Sequence, residues 1–272
     1  MDFEPSDEVV VDFGAGPRTV PPGLQVLDLT PGGGLAPESG PVDWTQLEQL
    51  PRCLTVRWSG PDRGVVEAIR AHMGVRSLHW DDAVGDLGLG DTRLATVRLG
   101  GRHLHSARLP EQVETVLLDR PSPGLHLEAP DDGRGLDLRL FHYGPDVVIP
   151  IGVRRASEVW IWAGGAFSAA RLTMLTDLED LRLTFDTRPG DLTDLSALEQ
   201  HASLHTLRLE DAYGLTVDAL PNLPGLRRLE ITGTRRSIAT SLRERFRGGA
   251  TKLSISGVKT DERLAALFDD QA

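Results

Sequence analysis

Arginine recurs in this chain in one setting, between two apolar residues. Arg57, Arg98, Arg139, Arg182 and Arg208 each follow a valine or leucine and precede a leucine or tryptophan. Because side chains alternate across a β-strand, the pattern predicts strands with two buried apolar residues and an arginine on the opposite face. Guanidinium groups bind carboxylates in a bidentate geometry. The arginines therefore indicate a surface for an acidic protein or peptide.

Two tryptophans alternate with two β-branched residues in the segment SEVWIWAGG. Glu158 must share a strand face with Trp160 and Trp162, while Val159 and Ile161 share the other face. Burying Glu158 without a partner would cost on the order of several kcal/mol. The sequence therefore predicts that valine and isoleucine face the core and that both tryptophans project beside the arginines.

Aligning the strands produces one predicted partner-binding face. Arginine and aromatic side chains are enriched at binding hot spots, and arginines on alternate strands stand about 10 Å apart, close enough to act on one partner. The alternative is that neighbouring carboxylates such as Asp137 and Glu210 pair with the arginines and leave a self-neutralised, solvated face. The predicted partner-binding residues are Arg57, His79, Arg98, Leu117, Arg139, Phe141, Trp160, Trp162, Arg182 and Arg208.

Evidence for catalysis or metal binding is thin. His103, His105 and His126 fall in predicted return segments of adjacent units, but no cysteine or acidic ligand is spaced with them, so exposed histidines are expected. FGAGPRT resembles the start of a dinucleotide loop but has Thr19 where the third glycine belongs. No nucleophile stands beside a base in a recognisable motif. We therefore predict a protein without catalytic residues, cofactor or metal.

The elements that position these residues repeat along the chain. Short apolar-x-apolar cores recur along the chain, for example at the ends of the stretches LEDLRL and LHTLRL. From Val56 onward, successive cores begin 19 to 26 residues apart. A fixed period of this kind is typical of repeat architectures. The cores begin at Val11, Leu27, Val56, Leu78, Val97, Val116, Leu138, Val159, Leu181, Leu207, Leu229 and Leu253.

This pattern resembles a leucine-rich repeat protein of the bacterial type with irregular repeats. The resemblance implies an α/β solenoid of about twelve units with a parallel front sheet, whose concave side usually holds the ligand. Helical spacing in residues 64–75, 195–202, 239–247 and 261–270 predicts helical returns at the ends. Alternating residues in 86–90, 103–106, 124–128 and 146–150 predict more extended returns in the middle.

The whole chain is expected to form one solenoid domain. Residues 1–30 would form irregular N-terminal units, 31–52 an insertion, 53–258 the repeats, and 259–272 a capping helix. The helix would cover the last strand with Leu264, Leu267 and Phe268.

Composition narrows the function classes. A net charge of -11 over 272 residues argues against nucleic acid and anionic membrane as partners. The sequence has no apolar run long enough for a membrane helix and no leader, and its single Cys53 fits a reducing compartment, so we expect a cytoplasmic protein. The predicted function is non-catalytic protein binding, a scaffold for an acidic or aromatic-containing partner. The alternatives are an accessory subunit or immunity-type inhibitor of a partner enzyme, and an enzyme whose solenoid-borne site cannot be recognised from sequence.

Overall fold

Short strands with alternating burial form most of the regular structure. The computed structural model describes residues 8–21, 23–37, 40–100, 102–130, 135–141, 149–164, 167–186, 193–260 and 262–263. The chain forms two compact units, which are Met1–Pro130 with Pro150–Gly152, and Asp131–Ile149 with Val153–Ala272. Parallel pairing dominates each unit, in agreement with the predicted parallel sheet. No described helix is long and apolar enough to cross a membrane.

The first unit contains two parallel ladders. Its helices are α1 (Gly64–Ala71) and a 3₁₀ helix, Trp44–Gln49. Its strands are β1 (Val9–Val11), β2 (Arg18–Val20), β3 (Val26–Leu29), β4 (Thr55–Trp58), β5 (Ser77–Trp80), β6 (Val84–Gly88), β7 (Thr96–Gly100), β8 (His103–Arg108), β9 (Thr115–Asp119) and β10 (His126–Glu128). Strands β3, β4, β5, β7 and β9 pair in parallel in that order, and β6, β8 and β10, which lie in the connections after β5, β7 and β9, form a second parallel sheet.

The second unit contains a six-stranded parallel ladder, whose strands are, in order across the sheet, Asp137–Phe141, Glu158–Gly164, Asp180–Asp186, Thr206–Glu210, Arg228–Thr232 and Lys252–Ser256. Its helices are α2 (Arg236–Arg245) and two 3₁₀ helices, Ala169–Met174 and Ser196–Gln200. Its strands are β11 (Asp137–Phe141), β12 (Glu158–Gly164), β13 (Phe167–Ser168), β14 (Asp180–Asp186), β15 (Thr193–Asp194), β16 (Thr206–Glu210), β17 (Arg228–Thr232) and β18 (Lys252–Ser256).

The predicted repeat positions from Leu27 onward stand side by side in the longer parallel ladder of each unit. All of them except Leu253 are fully buried in the described structure, and burying one such side chain contributes about 1.5–3 kcal/mol. In the first unit the paired series is Leu27, Val56, Leu78, Val97 and Val116. In the second it is Leu138, Val159, Leu181, Leu207, Leu229 and Leu253.

The first predicted sequence repeat, at Val11, differs from the later repeats. Val11 ends a strand that pairs antiparallel with β2, with Val11 opposite Arg18. Asp12 accepts hydrogen bonds from the amides of Gly14 and Gly16 and so closes the turn of this hairpin. The series of parallel strands therefore begins with the strand of Leu27, and the expectation that a parallel repeat opens the series at Val11 is wrong.

The return segments follow the predicted division into helical and extended types. α1 and α2 occupy two predicted helical segments, and β6, β8 and β10 coincide with predicted extended ones. The segment 195–202 contains a short 3₁₀ helix, Ser196–Gln200, instead of the predicted α-helix. The predicted insertion contains the 3₁₀ helix Trp44–Gln49, which buries Trp44 and Leu47. The Asp43 side chain caps its N-terminus by accepting a hydrogen bond from the Thr45 amide. Most of 146–150 and of the predicted C-terminal helix, including Leu264, Leu267 and Phe268, lies outside the described residues.

Candidate functional site

The parity of β12 decides which face of the second unit carries the aromatic side chains. Val159 and Ile161 are fully buried, whereas Trp160 is half-buried and Trp162 is 38% exposed. Glu158 lies on the same face as the tryptophans and is also half-buried. The predicted register of SEVWIWAGG is confirmed by this burial pattern.

Inward tryptophans elsewhere in the chain show the contrast. Trp58 and Trp80 are buried, and both indole groups donate to backbone carbonyls of the loop after β4. The Trp58 Nε1 atom lies 3.2 Å from the carbonyl oxygen of Asp62, and the Trp80 Nε1 atom lies 2.7 Å from that of Gly60. These tryptophans therefore hold a loop of the first unit in place.

Three aromatic side chains meet on the outward face of the second unit. The ring centroids of Phe141 and Trp160 lie 5.6 Å apart, and those of Phe141 and Trp162 lie 6.3 Å apart, both in edge-to-face geometry. Phe141 stands opposite Trp162 in the β11–β12 pairing. We call Phe141, Trp160 and Trp162 the aromatic patch.

Trp160 is held in one orientation by its neighbours. Its Nε1 atom donates to the Thr184 hydroxyl at 3.0 Å, and that hydroxyl donates to Glu210 at 2.8 Å. The Arg182 guanidinium lies 4.1 Å from the centre of the Trp160 ring, and the Arg139 guanidinium lies 5.8 Å away. Because these contacts fix the indole before any partner arrives, binding here would require little additional ordering.

The arginines of this face are ion-paired. Arg139 makes a bidentate contact with Asp137, with a closest distance of 2.6 Å, and Arg182 lies 2.8 Å from Glu210. Arg208 contacts Glu230 at 3.0 Å, Asp180 at 3.3 Å and Glu158 at 4.0 Å. The self-paired arrangement considered for these arginines is therefore the one observed.

Burial and ion pairing act in opposite directions on the carboxylates around Arg208. Burial raises the pKa of Asp180, although the charge of Arg208 opposes the shift. Burial alone would also raise the pKa of Glu230, but hydrogen bonds and charges from Arg228 and Arg208 outweigh it and lower that pKa. The folded protein therefore disfavours the ionised form of Asp180 and favours the ionised form of Glu230.

The first unit carries the remaining predicted residues on its own outward face. Arg57 lies 3.6 Å from Asp28, and Arg98 lies 3.9 Å from both Asp81 and Asp119. His79 stands between the two arginines in the strand order, and burial together with their charges lowers its pKa. Leu117 is half-buried next to Arg98. This face is polar and paired, and the aromatic patch has no counterpart among its described residues.

The structure thus separates the predicted site residues into two groups. Arg57, His79, Arg98 and Leu117 lie in the first unit, and Arg139, Phe141, Trp160, Trp162, Arg182 and Arg208 lie in the second. The sequence reasoning missed Thr184, which fixes the Trp160 indole. The sequence could have indicated Thr184, because it lies two residues after Arg182 and therefore projects from the same face of the strand.

The histidines considered for metal binding are exposed on the second sheet of the first unit. A charged cleft of about 240 Å³ nearby includes His103, but neither His105 nor His126 lines it. Within the described ranges, no group of three or more histidine, cysteine, aspartate or glutamate side chains is arranged to hold a metal ion.

No protein-family model matches this chain, and comparisons with the curated proteins and with the solved structures also give no match.

Proposed function

We propose that this chain is a non-catalytic protein-binding module, built as a leucine-rich-repeat-like solenoid, that docks a partner protein or peptide on the outward face of its parallel strands. Repeat residues that pair strand by strand support the solenoid assignment. In such arrays each unit buries its core only against its neighbours, so the outward strand positions vary freely and are available for binding. The buried Cys53 thiol fits a module that works in the cytoplasm.

The observation that carries the proposal is the aromatic patch. Exposed aromatic side chains are costly to leave in water and are enriched at the centres of interfaces. Trp162 keeps 38% of its surface exposed beside an indole that is already fixed by Thr184 and Arg182. A rigid aromatic side chain of this type can bury apolar surface against a partner without a large loss of conformational entropy on binding.

The arginines contribute less to the proposal than the sequence suggested. Arg139, Arg182 and Arg208 already satisfy carboxylates of the same face, and exposed pairs of this kind contribute about 0–1 kcal/mol each. An acidic partner would have to compete with these carboxylates. An aromatic-containing partner is therefore better supported than an acidic one.

A bait experiment tests the proposal. The parent chain and a variant with Phe141, Trp160 and Trp162 changed to alanine would each be used to capture partners from an extract of the source cells, with quantitative mass spectrometry as the readout. We expect the variant to lose the principal partner. A stoichiometric enzyme among the captured proteins would favour an accessory subunit or inhibitor over a general scaffold.

The matched control changes outward residues of the same unit away from the patch. Thr232→Ala with Ser256→Ala alters β17 and β18 on the same face, where the two hydroxyl oxygens lie 3.3 Å apart. This control should retain every partner of the parent. Equal capture by the parent and the aromatic variant would refute docking on the patch.

A further inference from the structure

We propose that the partner presents a basic side chain near a large apolar one, with the cation at Glu158 and the apolar group on Phe141 and Trp162. This inference rests on the proposed function and specifies the chemistry of the partner. It reverses the charge that the arginine pattern of the sequence suggested.

Glu158 is the carboxylate of this face that is least engaged within the described structure. Its ion pair with Arg208 is 4.0 Å long, whereas Arg208 lies 3.0 Å from Glu230 and 3.3 Å from Asp180. The Glu158 side chain is 43% exposed, whereas those of Asp137, Asp180, Glu210 and Glu230, the other outward carboxylates with described side chains, are 19–29% exposed. A partner cation can therefore reach Glu158 without displacing a closer internal pair.

The distribution of charge near the patch favours a cation. Asp137, Glu158 and Asp180 stand next to one another on three adjacent strands, and the next cations in that row are Arg228 and Lys252, on β17 and β18. Arg139 and Arg208 already pair closely with the two outer carboxylates, so a partner cation at the middle one would complete the pairing of this row. The net charge of -11 acts in the same direction on an approaching partner.

The aromatic side chains of the face already accept a guanidinium. Arg182 stacks on Trp160 at 4.1 Å, which is the geometry in which an arginine or lysine stem covers apolar surface while its charge stays solvated. Glu158, Trp160 and Trp162 follow one another at alternate positions of β12. Four residues of a strand span about 13 Å, so an extended partner segment would place its cation and its apolar side chain about four residues apart.

The test is a selection from a library of random nine-residue peptides displayed on phage, with the whole chain as the target. Selected peptides are then synthesised and measured by fluorescence polarisation. We expect enrichment of arginine or lysine about four residues from tryptophan, phenylalanine or leucine. Enrichment of aspartate or glutamate beside the apolar residue would overturn the inference.

Two single variants separate failure of this inference from failure of the proposed function. Glu158→Gln should weaken the selected peptide about 5-fold or more and flatten its salt dependence, since charge at an interface governs the response to ionic strength. Asp180→Asn, which alters a carboxylate already held by Arg208, should change binding less than about 2-fold.

Trp162→Ala should abolish peptide binding whatever the charge preference. If Trp162→Ala abolishes binding and Glu158→Gln leaves it unchanged, the proposed function stands and the basic partner is wrong. If no selected peptide depends on the aromatic patch, both are wrong.

Discussion

At the residue scale, the face on which a side chain of β12 projects decides what its replacement costs. Changing Trp160 and Trp162 together to alanine should lower the free energy of unfolding by about 1–2 kcal/mol, because both are partly solvated and lose mainly stacking and one hydrogen bond. Ile161→Asp places a charge in a fully buried site and should cost about 4 kcal/mol or more. Denaturant unfolding followed by circular dichroism measures both.

Trp80→Ala is the matched control for loss of a tryptophan. Trp80 is fully buried and its indole donates to Gly60, so its truncation should cost about 3–5 kcal/mol. A loss of this size in the Trp160 and Trp162 variant, together with a tolerated Ile161→Asp, would contradict the outward assignment of the patch.

Two aspartates should respond to acid in opposite directions. Burial alone would raise the pKa of Asp28, but hydrogen bonds from Thr30 and the charge of Arg57 outweigh it and lower the pKa, so its contribution to stability is lost as the pH falls through the folded-state value. Burial raises the pKa of Asp180, so the native state gains stability from this group as the pH falls through its folded-state value.

Asparagine mimics the protonated form of each aspartate. At pH 7, Asp28→Asn should lower the melting temperature slightly, whereas Asp180→Asn should leave it unchanged or raise it. Thermal melts of both variants and the parent between pH 3 and 7, values chosen for the assay, would check the signs. A clear destabilisation by Asp180→Asn at pH 7 would show that its contact with Arg208 outweighs the cost of burial.

The sequence predicted residue faces well and residue pairing poorly. Alternation is a local property, so the inward position of Ile161 and the outward position of Trp162 followed from Glu158 alone. Whether Arg182 pairs with Glu210 depends on which strands are adjacent and on side-chain rotamers, which the sequence leaves open. The same holds for Thr184, whose role appears only when β12 and β14 stand side by side.

At the element scale, the strand β18 is less well covered than its neighbour β17. Leu253 and Ile255 on β18 are half-buried, whereas the equivalent residues of β17, Leu229 and Ile231, are buried. After β18 the chain returns beside α2, where the Lys259 amide donates to Thr234 and its carbonyl accepts from Arg236, both at 3.0 Å. The segment after Gly257 therefore adds two backbone hydrogen bonds to the end of the array.

Two truncations measure this contribution. A chain ending at Gly257 should be less stable than one ending at Thr260 by about 1–3 kcal/mol, because only the longer one keeps both hydrogen bonds of Lys259. A chain ending at Thr260 should in turn melt below the full chain and aggregate if residues 261–272 cap the array as predicted. Identical melting of the full chain and the Thr260 truncation would contradict the cap.

Element types were predictable where periodicity is strong and uncertain where units are short. The period of 3.6 in α1 and the alternation in β8 both appear in the sequence. The helix at Ala169–Met174 is one of three 3₁₀ helices among the described residues, and such short helices leave little periodic signal in a sequence. The antiparallel hairpin of β1 and β2 was missed because an apolar run alone does not reveal the direction of its partner.

At the scale of the whole molecule, an acidic chain keeps its outward faces close to neutral. Among the outward positions whose side chains are described, the ladder of the second unit carries five carboxylates and five cations, so little of the net charge of -11 arises from them. This balance lets parallel strands carry charged side chains at about 4.8 Å spacing without strong repulsion. It also leaves the aromatic patch as the most distinctive feature of the described outward surface.

Removing part of this balance should make folding depend on salt. Changing Arg98, Arg139 and Arg182 to glutamine removes three positive charges, takes the net charge from -11 to -14, and removes one ion pair each from Asp81, Asp137 and Glu210. We expect a loss of about 1–2 kcal/mol in unfolding free energy at 0.1 M salt that shrinks at 1 M, since the Debye length falls from about 10 Å to about 3 Å.

The matched control, glutamine at Arg52, Arg171 and Arg243, also reaches -14 but alters arginines for which the described structure gives no ion pair. Urea titrations at the two salt concentrations separate the variants, and equal salt dependence in both would show that net charge, rather than pairing on the outward faces, sets the response.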